Sequence, residues 1–358
     1  MLGTYFLYTT IFVLAASFAY IAQYGSDASH RMWGRIFCFM CLFIPAALRY
    51  GIGRDYIGYC EIYDNNFPSY MQRLEPGFKF IGQLCRMAGL SSIMFMGVVA
   101  GITYALVCFC APRKHIFTIV TFYVLSFLYL DSYDITRQAL AISILLCGFS
   151  LFYNDHKIKG ILLFAVASLI HYSSLIVFPV IIVSCLNINN FFRVGLIIVV
   201  IFIIINDSIL RWVISIAAFI NHRSIALLDM LITNQMKTGI TIMILALPSV
   251  LILLNSKKIS LYKNGIFILN VNAVYFAVMF ATLRIYVFGR ILIGLLFIPL
   301  FSIQILYNAN KRYASLYHSL LILFFLALFF RLIQVNTIYR TDGRVGLEIA
   351  PYNSIFNR

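Results

Sequence analysis

Residue types able to do chemistry gather in six short stretches. The first runs Arg49-Tyr50-Gly51-Ile52-Gly53-Arg54-Asp55-Tyr56-Ile57-Gly58-Tyr59 and sets two arginines and a carboxylate among glycines and aromatics. Glycine permits tight turns and close backbone approach to a ligand, and arginine captures phosphate or carboxylate through two parallel hydrogen bonds. Arg49 and Arg54 could therefore clamp a pyrophosphate, with Asp55 as base or as their orienter. The alternative is an interfacial tyrosine belt with Asp55 paired to Arg54.

The second stretch, Glu75-Pro76-Gly77-Phe78, reads first as ordinary helix-start chemistry, an acid followed by proline. The third, Asp131-Ser132-Tyr133-Asp134-Ile135-Thr136-Arg137-Gln138, opens an apolar run, with Ser132 or Asp134 as candidate caps. Arg137 then falls in the first helical turn, where a positive charge opposes the helix dipole. Either the acids three and six residues earlier compensate it, or an anion bound at the helix N-terminus does. The fourth stretch centres on His171, a lone histidine at the turn His171-Tyr172-Ser173-Ser174. The fifth, Arg284-Ile285-Tyr286-Val287-Phe288-Gly289-Arg290, sets two arginines six residues apart. The sixth is an amphipathic tail, Pro351-Tyr352-Asn353-Ser354-Ile355-Phe356.

The elements that must carry these residues are apolar. The 358 residues are 62% hydrophobic and 11% charged, against about 25% charged in a soluble domain. A soluble enzyme, a disordered chain and a nucleic-acid-binding domain are thereby excluded, and the net charge of +15 is read as loop charge that sets orientation. Continuous apolar runs, rather than strict alternation, favour helices over a β-barrel. Runs at about 5–23, 33–49, 91–111, 116–130, 136–153, 159–171, 173–186, 194–206, 238–254, 264–282, 290–307 and 315–333 predict an all-α polytopic membrane protein with about twelve spans in a single domain, residues 1–358. The first run lacks a basic leader and reads as a retained span. Residues 50–90 read as an outer loop with short helices, 207–237 as an outer loop with one amphipathic helix, and 334–358 as an outer tail.

Basic residues orient the chain. The loops His30–Arg35, Pro112–His115, Asn154–Lys159, Asn187–Arg193, Asn255–Lys263 and Asn308–Arg312 all fall on one side, the cytoplasmic side by the positive-inside rule. Seven of nine lysines lie there, whereas thirteen of eighteen arginines lie outside or at outer span ends, among them Arg49, Arg54, Arg73, Arg86, Arg137, Arg284, Arg290, Arg340 and Arg344. This asymmetry suggests an anionic ligand handled on the outer face, with pairing to the ten outer acids as the alternative. The short runs around His171 suggest a recessed turn lining a cavity, where an ionisable residue is a site candidate.

Other chemistries leave no trace. The sequence has no P-loop, no DxD pair, no H-E-x-x-H and no G-x-S-x-G. The CxxC at Cys38 and Cys41 lies inside a span, and Asp131/Asp134 is a weak metal signal, so no metal and no cofactor is expected. Cys60 and Cys85 flank a polar loop and could pair if that loop faces an oxidising compartment.

In order along the chain, R-Y-G-I-G-R-D-Y-x-x-Y, E-P-G-F, I-T-R-Q-x-L-A, L-I-H-Y-S-S-L-I, R-I-Y-V-F and a terminal P-Y-x-S-I-F resemble the EpsG/Wzy family of polysaccharide repeat-unit polymerases. The resemblance covers 45–178 well, 283–300 fairly and the tail weakly, with no recognisable motif over 187–280. It departs from the family at Arg54, where a small polar residue more often precedes the Asp. The resemblance implies a multi-pass protein of the bacterial inner membrane with a cavity open to the periplasm. It implies a metal-independent glycosyltransferase that moves a growing glycan from undecaprenyl pyrophosphate to the non-reducing sugar of an incoming lipid-linked unit. Membrane lipid, a flippase and a chain-length regulator of the same pathway are then its partners, and nucleic acid is not.

Set against the residues, that chemistry assigns His171, Asp55 and Arg137 to catalysis. Histidine is preferred as the base because its ordinary titration lies near neutrality. Arg49, Arg54, Arg137, Arg284 and Arg290 would bind pyrophosphate, and Tyr56, Tyr59, Tyr133 and Tyr172 would contact sugar, with an aromatic belt as the alternative for at least half of the tyrosines. Two rivals remain open: a flippase for the same lipid-linked unit, which should show internal repeats and midplane charge, and a membrane O-acyltransferase, which needs a cytoplasm-fed histidine.

Overall fold

The computed structural model describes residues 2–65, 74–206, 208–209, 211–212, 239–285, 288–337 and 347–357. Arg73, Arg223, Lys237, Tyr286, Arg340, Arg344, nearly all of the 207–237 loop and residues 338–346 of the tail lie outside them. The described residues are helical, without strands; two isolated bridges, Arg49 with Ser354 and Thr337 with Ala350, are the extended pairings among them.

The chain divides into two compact units, 1–175 with 322–358 and 176–321. In the first unit the helices are α1 (Leu2–Tyr24), α2 (Ala28–Leu48), α3 (Arg54–Asn65), α4 (Pro76–Met87), α5 (Ser92–Ala105), α6 (Ile116–Leu125), α7 (Phe127–Asp131), α8 (Thr136–Tyr153) and α9 (Lys157–Ile170). The second holds α10 (Val177–Ser184), α11 (Asn190–Ile205), α12 (Ile240–Leu254), α13 (Ser256–Ile259), α14 (Gly265–Thr282), α15 (Phe288–Gly294) and α16 (Phe297–Ala309), and the division falls within α17 (Ala314–Val335).

Among the described residues, six helical segments are long and apolar enough to cross a membrane: α1, α2, α5 with its π-helical extension to Cys110, α8, α14 and Lys311–Val335. The pair α15 and α16, bent by 46°, makes up to seven. The remaining predicted runs form shorter helices such as Ile116–Leu125, Asn190–Ile205 and Ile240–Leu254. A helix of 16 residues reaches about 24 Å, short of a ~30 Å hydrocarbon core. The run 116–130 is split where Ser126 leaves helical geometry and caps α7 by accepting from Leu128 N.

The centre of the first unit is α8, apolar all round and 83% buried, against 22% for α2. A helix without a polar face belongs inside other helices. α9 packs along it at a crossing made by glycine: a Cβ on Gly148 would meet Gly160 O at 3.0 Å, and one on Gly160 would meet Gly148 O at 2.8 Å. Small residues let backbones approach where lipid supplies no hydrophobic drive. Gly34 plays the same part between α2 and α1, its absent Cβ lying 2.6 Å from Ala22 N.

Candidate functional site

Five of the six reactive stretches meet at one end of the first unit, and local backbone chemistry explains how. After α2 the chain turns through Gly51 (φ +62°) and Gly53 (φ +90°), which side-chain-bearing residues rarely adopt. A Cβ on Gly53 would lie 2.1 Å from the carbonyl oxygen of Tyr133. Glycine thus sets the turn directly on the Tyr133-Asp134 backbone. Gly53→Ala is expected to cost at least about 2 kcal/mol, since the backbone strain (~1–3 kcal/mol) adds to a clash with main chain that cannot rotate away. Thermal unfolding in detergent measures it, and an unchanged midpoint would refute the close approach.

The turn places Arg54 over Asp134. Asp134 Oδ1 accepts from Arg54 N at 2.8 Å and Nε at 3.2 Å, and Oδ2 accepts from Nη2 at 2.5 Å. Asp134 is therefore committed to Arg54 and does not cap α8. Ser132 does not cap it either: its hydroxyl donates to Tyr129 O and bonds Tyr104 OH. The N-cap position is Ile135, with no side-chain bond.

Arg49 is 1% exposed. Its Nη1 donates to Ala46 O at 2.7 Å and its Nη2 to Thr136 Oγ1 at 3.4 Å. The guanidinium sits 4.8 Å from the Tyr133 ring centre and 5.4 Å from that of Tyr56, a cation–π cage. The tail straps this region. Tyr50 N donates to Asn353 O, Tyr352 N to Thr4 Oγ1, Tyr352 OH to Pro45 O, and Tyr8 OH to Ile349 O. The amphipathic tail is thus a packed part of the site's wall.

The chemical centre is Glu75. It stands at the N-cap of α4 with Pro76 at the first helical position, its side chain free of capping duty. Gly77 lets α4 run against the end of α9: a Cβ there would meet Leu169 O at 2.9 Å. That approach delivers Glu75 to His171, which ends α9 in extended geometry. Glu75 Oε1 is 3.0 Å from His171 Nδ1 and accepts from Tyr172 N at 3.4 Å, while Oε2 accepts from Arg137 Nη1 at 2.5 Å. Arg137 Nε donates to Tyr59 OH at 2.6 Å, with the ring 5.4 Å from the guanidinium. The charge of Arg137 in the first turn of α8 is thus balanced by neither of the nearby acids but by Glu75, brought from another helix.

Electrostatics follow from this geometry. Burial alone would raise the Glu75 carboxyl; the His171 hydrogen bond and the Arg137 charge override it and hold it at about 2. Burial pushes the Tyr59 phenol up to about 12 against the pull of Arg137, with Asp55 adding to the rise. Asp55 itself is exposed in the first turn of α3.

Of the residues expected to contact sugar, Tyr56 and Tyr133 are buried around Arg49, Tyr59 is bound to Arg137, and Tyr172 is 55% exposed. Arg284, buried, and Arg290, exposed, belong to the second unit. Cys60 and Cys85 are free thiols. Among the described residues no cluster of three His, Cys, Asp or Glu side chains could hold a metal.

The model of the EpsG family matches residues 32–354, nine-tenths of the sequence, with five of the six reactive stretches whole and the sixth as far as Ser354. The chain belongs to the EpsG family. No curated protein and no solved structure matches it. EpsG membership, with its Wzy-type polymerases, suggests a polysaccharide-polymerase-like, glycosyltransferase-like protein, and the apolar helices place this EpsG chain in a membrane. Glu75 is the residue that sequence reasoning read as a helix start. Its signal was indirect: Arg137 sat where a helix repels it, so a partner had to exist, but the partner lies 62 residues away.

Proposed function

We propose that this EpsG protein polymerises lipid-linked oligosaccharide repeat units of O-antigen or another surface polysaccharide. The reaction takes place at the periplasmic face of the inner membrane. The growing glycan leaves undecaprenyl pyrophosphate and joins the non-reducing sugar of an incoming unit. The observation that carries this reading is the convergence of Arg137 and His171 on one carboxylate, Glu75.

The steps follow from that arrangement. With His171 Nδ1 donating to Glu75, the other ring nitrogen, Nε2, is the acceptor. Nε2 takes the proton of the acceptor hydroxyl, whose oxygen attacks the anomeric carbon of the donor glycan. The bond from that carbon to the pyrophosphate oxygen breaks, and the electron pair leaves with the lipid pyrophosphate. Arg137 meets the developing charge; its Nη2 makes no hydrogen bond to a described residue, and its side chain is 23% exposed. Tyr59 and Glu75 hold the guanidinium in place, so the stabilising charge needs no reorganisation. Tyr172, exposed beside His171, offers an apolar face to a sugar ring. No cofactor enters these steps.

The test is a lipopolysaccharide gel from a strain lacking the gene. Core bearing one repeat unit without a ladder is the expected result, since units would be made, flipped and ligated but not joined. Loss of every repeat unit would point to a flippase, and an unchanged ladder to decoration of the glycan.

A further inference from the structure

The second unit contains a cavity of about 520 Å³, lined by α11, α14 and their neighbours. This lies within the ~300–1,000 Å³ of sites that take small ligands. Its walls are a stripe at helical spacing on α11, including Leu196, Val200 and Ile204, facing small residues of α14, Ala273 and Ala277. At one end stands Arg193, 5% exposed. Its Nε donates to Asn270 Oδ1 at 2.9 Å, its Nη2 to Ile188 O at 2.8 Å, and its Nη1 to Asn190 Oδ1. Every one of these partners is neutral, and Arg193 is in no ion pair with a described acid. A full positive charge therefore stands desolvated in the first turn of α11, where the helix dipole also disfavours it.

Charge and length together name an occupant. The basic loops place Arg193 at the cytoplasmic end, and the exposed Lys257 and Lys258 lie on α13, which Asn190 touches through Ser256. From Arg193 to Ile204 the wall runs about 16 Å at 1.5 Å per residue, half of a ~30 Å hydrocarbon core. One leaflet is the span of one phospholipid tail. We propose that this groove binds an anionic glycerophospholipid of the cytoplasmic leaflet, its phosphate against Arg193 and one acyl chain along α11 and α14. The alanines of α14 make the width for that chain, and Arg193 selects the anionic headgroup.

The readout is bound lipid, so the proposal stands or falls apart from the polymerase reading. The full chain is reconstituted in phosphatidylcholine nanodiscs containing phosphatidylglycerol, extracted in mild detergent and weighed by native mass spectrometry. Retention of phosphatidylglycerol over phosphatidylcholine by at least tenfold is expected. Arg193→Gln, which keeps a hydrogen-bonding side chain, should abolish the preference. Ala277→Phe, which leaves the Arg193 bonds intact and fills the groove, should abolish retention, with unfolding midpoints in detergent checking that both variants fold. Equal retention of the two lipids by the wild type, retention undiminished in Ala277→Phe, or a polyprenyl phosphate of different mass in their place would overturn the proposal.

Discussion

Glu75→Gln is expected to eliminate long glycan chains and to lower the polymerisation rate by ~10²–10⁴, the factor that corresponds to breaking a buried ion pair at about 3–5 kcal/mol. Glutamine keeps the shape and one acceptor oxygen, yet it removes the charge shared by Arg137 and His171. Arg137 would then face the N-terminus of α8 uncompensated, and His171 would lose the partner that fixes its tautomer. Wild-type chain length in this variant would remove Glu75 from the mechanism. Stability offers a second readout with a defined sign. The carboxyl is held at about 2, below the ordinary carboxylate value near 4.5, so its contribution is complete above about pH 4.5 and is lost as pH falls toward 2. Unfolding midpoints in detergent should fall across that window for the wild type. In Glu75→Gln the fall should be shallower.

Arg137→Lys should lose most activity, by about 10² or more, although the charge is kept. The guanidinium reaches Tyr59 OH through Nε and Glu75 Oε2 through Nη1, two directions fixed by one rigid plane. An ammonium is a point charge on a flexible stem and cannot hold both while presenting a further donor to a leaving pyrophosphate. Purified variant and wild type, compared for polymer made from lipid-linked units at matched folded protein, give the measurement. A Lys variant with wild-type rate and chain length would exclude bidentate capture by Arg137.

The contrast between Arg137 and Arg49 shows how far arginine in a sequence can be read. Both stand at helix ends among tyrosines and a carboxylate, and both were expected to bind pyrophosphate. In the fold, Arg137 keeps a quarter of its side chain exposed beside Glu75, whereas Arg49 is enclosed by Tyr56 and Tyr133. Arg54, expected in the same clamp, is paired with Asp134, with 43% of its side chain exposed. Residue type does not separate the three; the sequence marks Arg137 alone, by its place in a first helical turn, and the burial of each is decided by the fold.

Composition by itself determined that this chain enters a membrane, because so few charges cannot coat a water-facing surface. Its ordered motifs determined the EpsG family, and its helix-repelled Arg137 announced that an anion must be near. Tertiary structure alone decided which anion. Glu75, His171 and Arg137 stand at the ends of three different helices and meet where Gly77 removes the side chain that would hold α4 off the backbone of α9. Span lengths were likewise decided in three dimensions, since a helix packed inside protein need not match the thickness of the bilayer, and an apolar run looks the same in either setting.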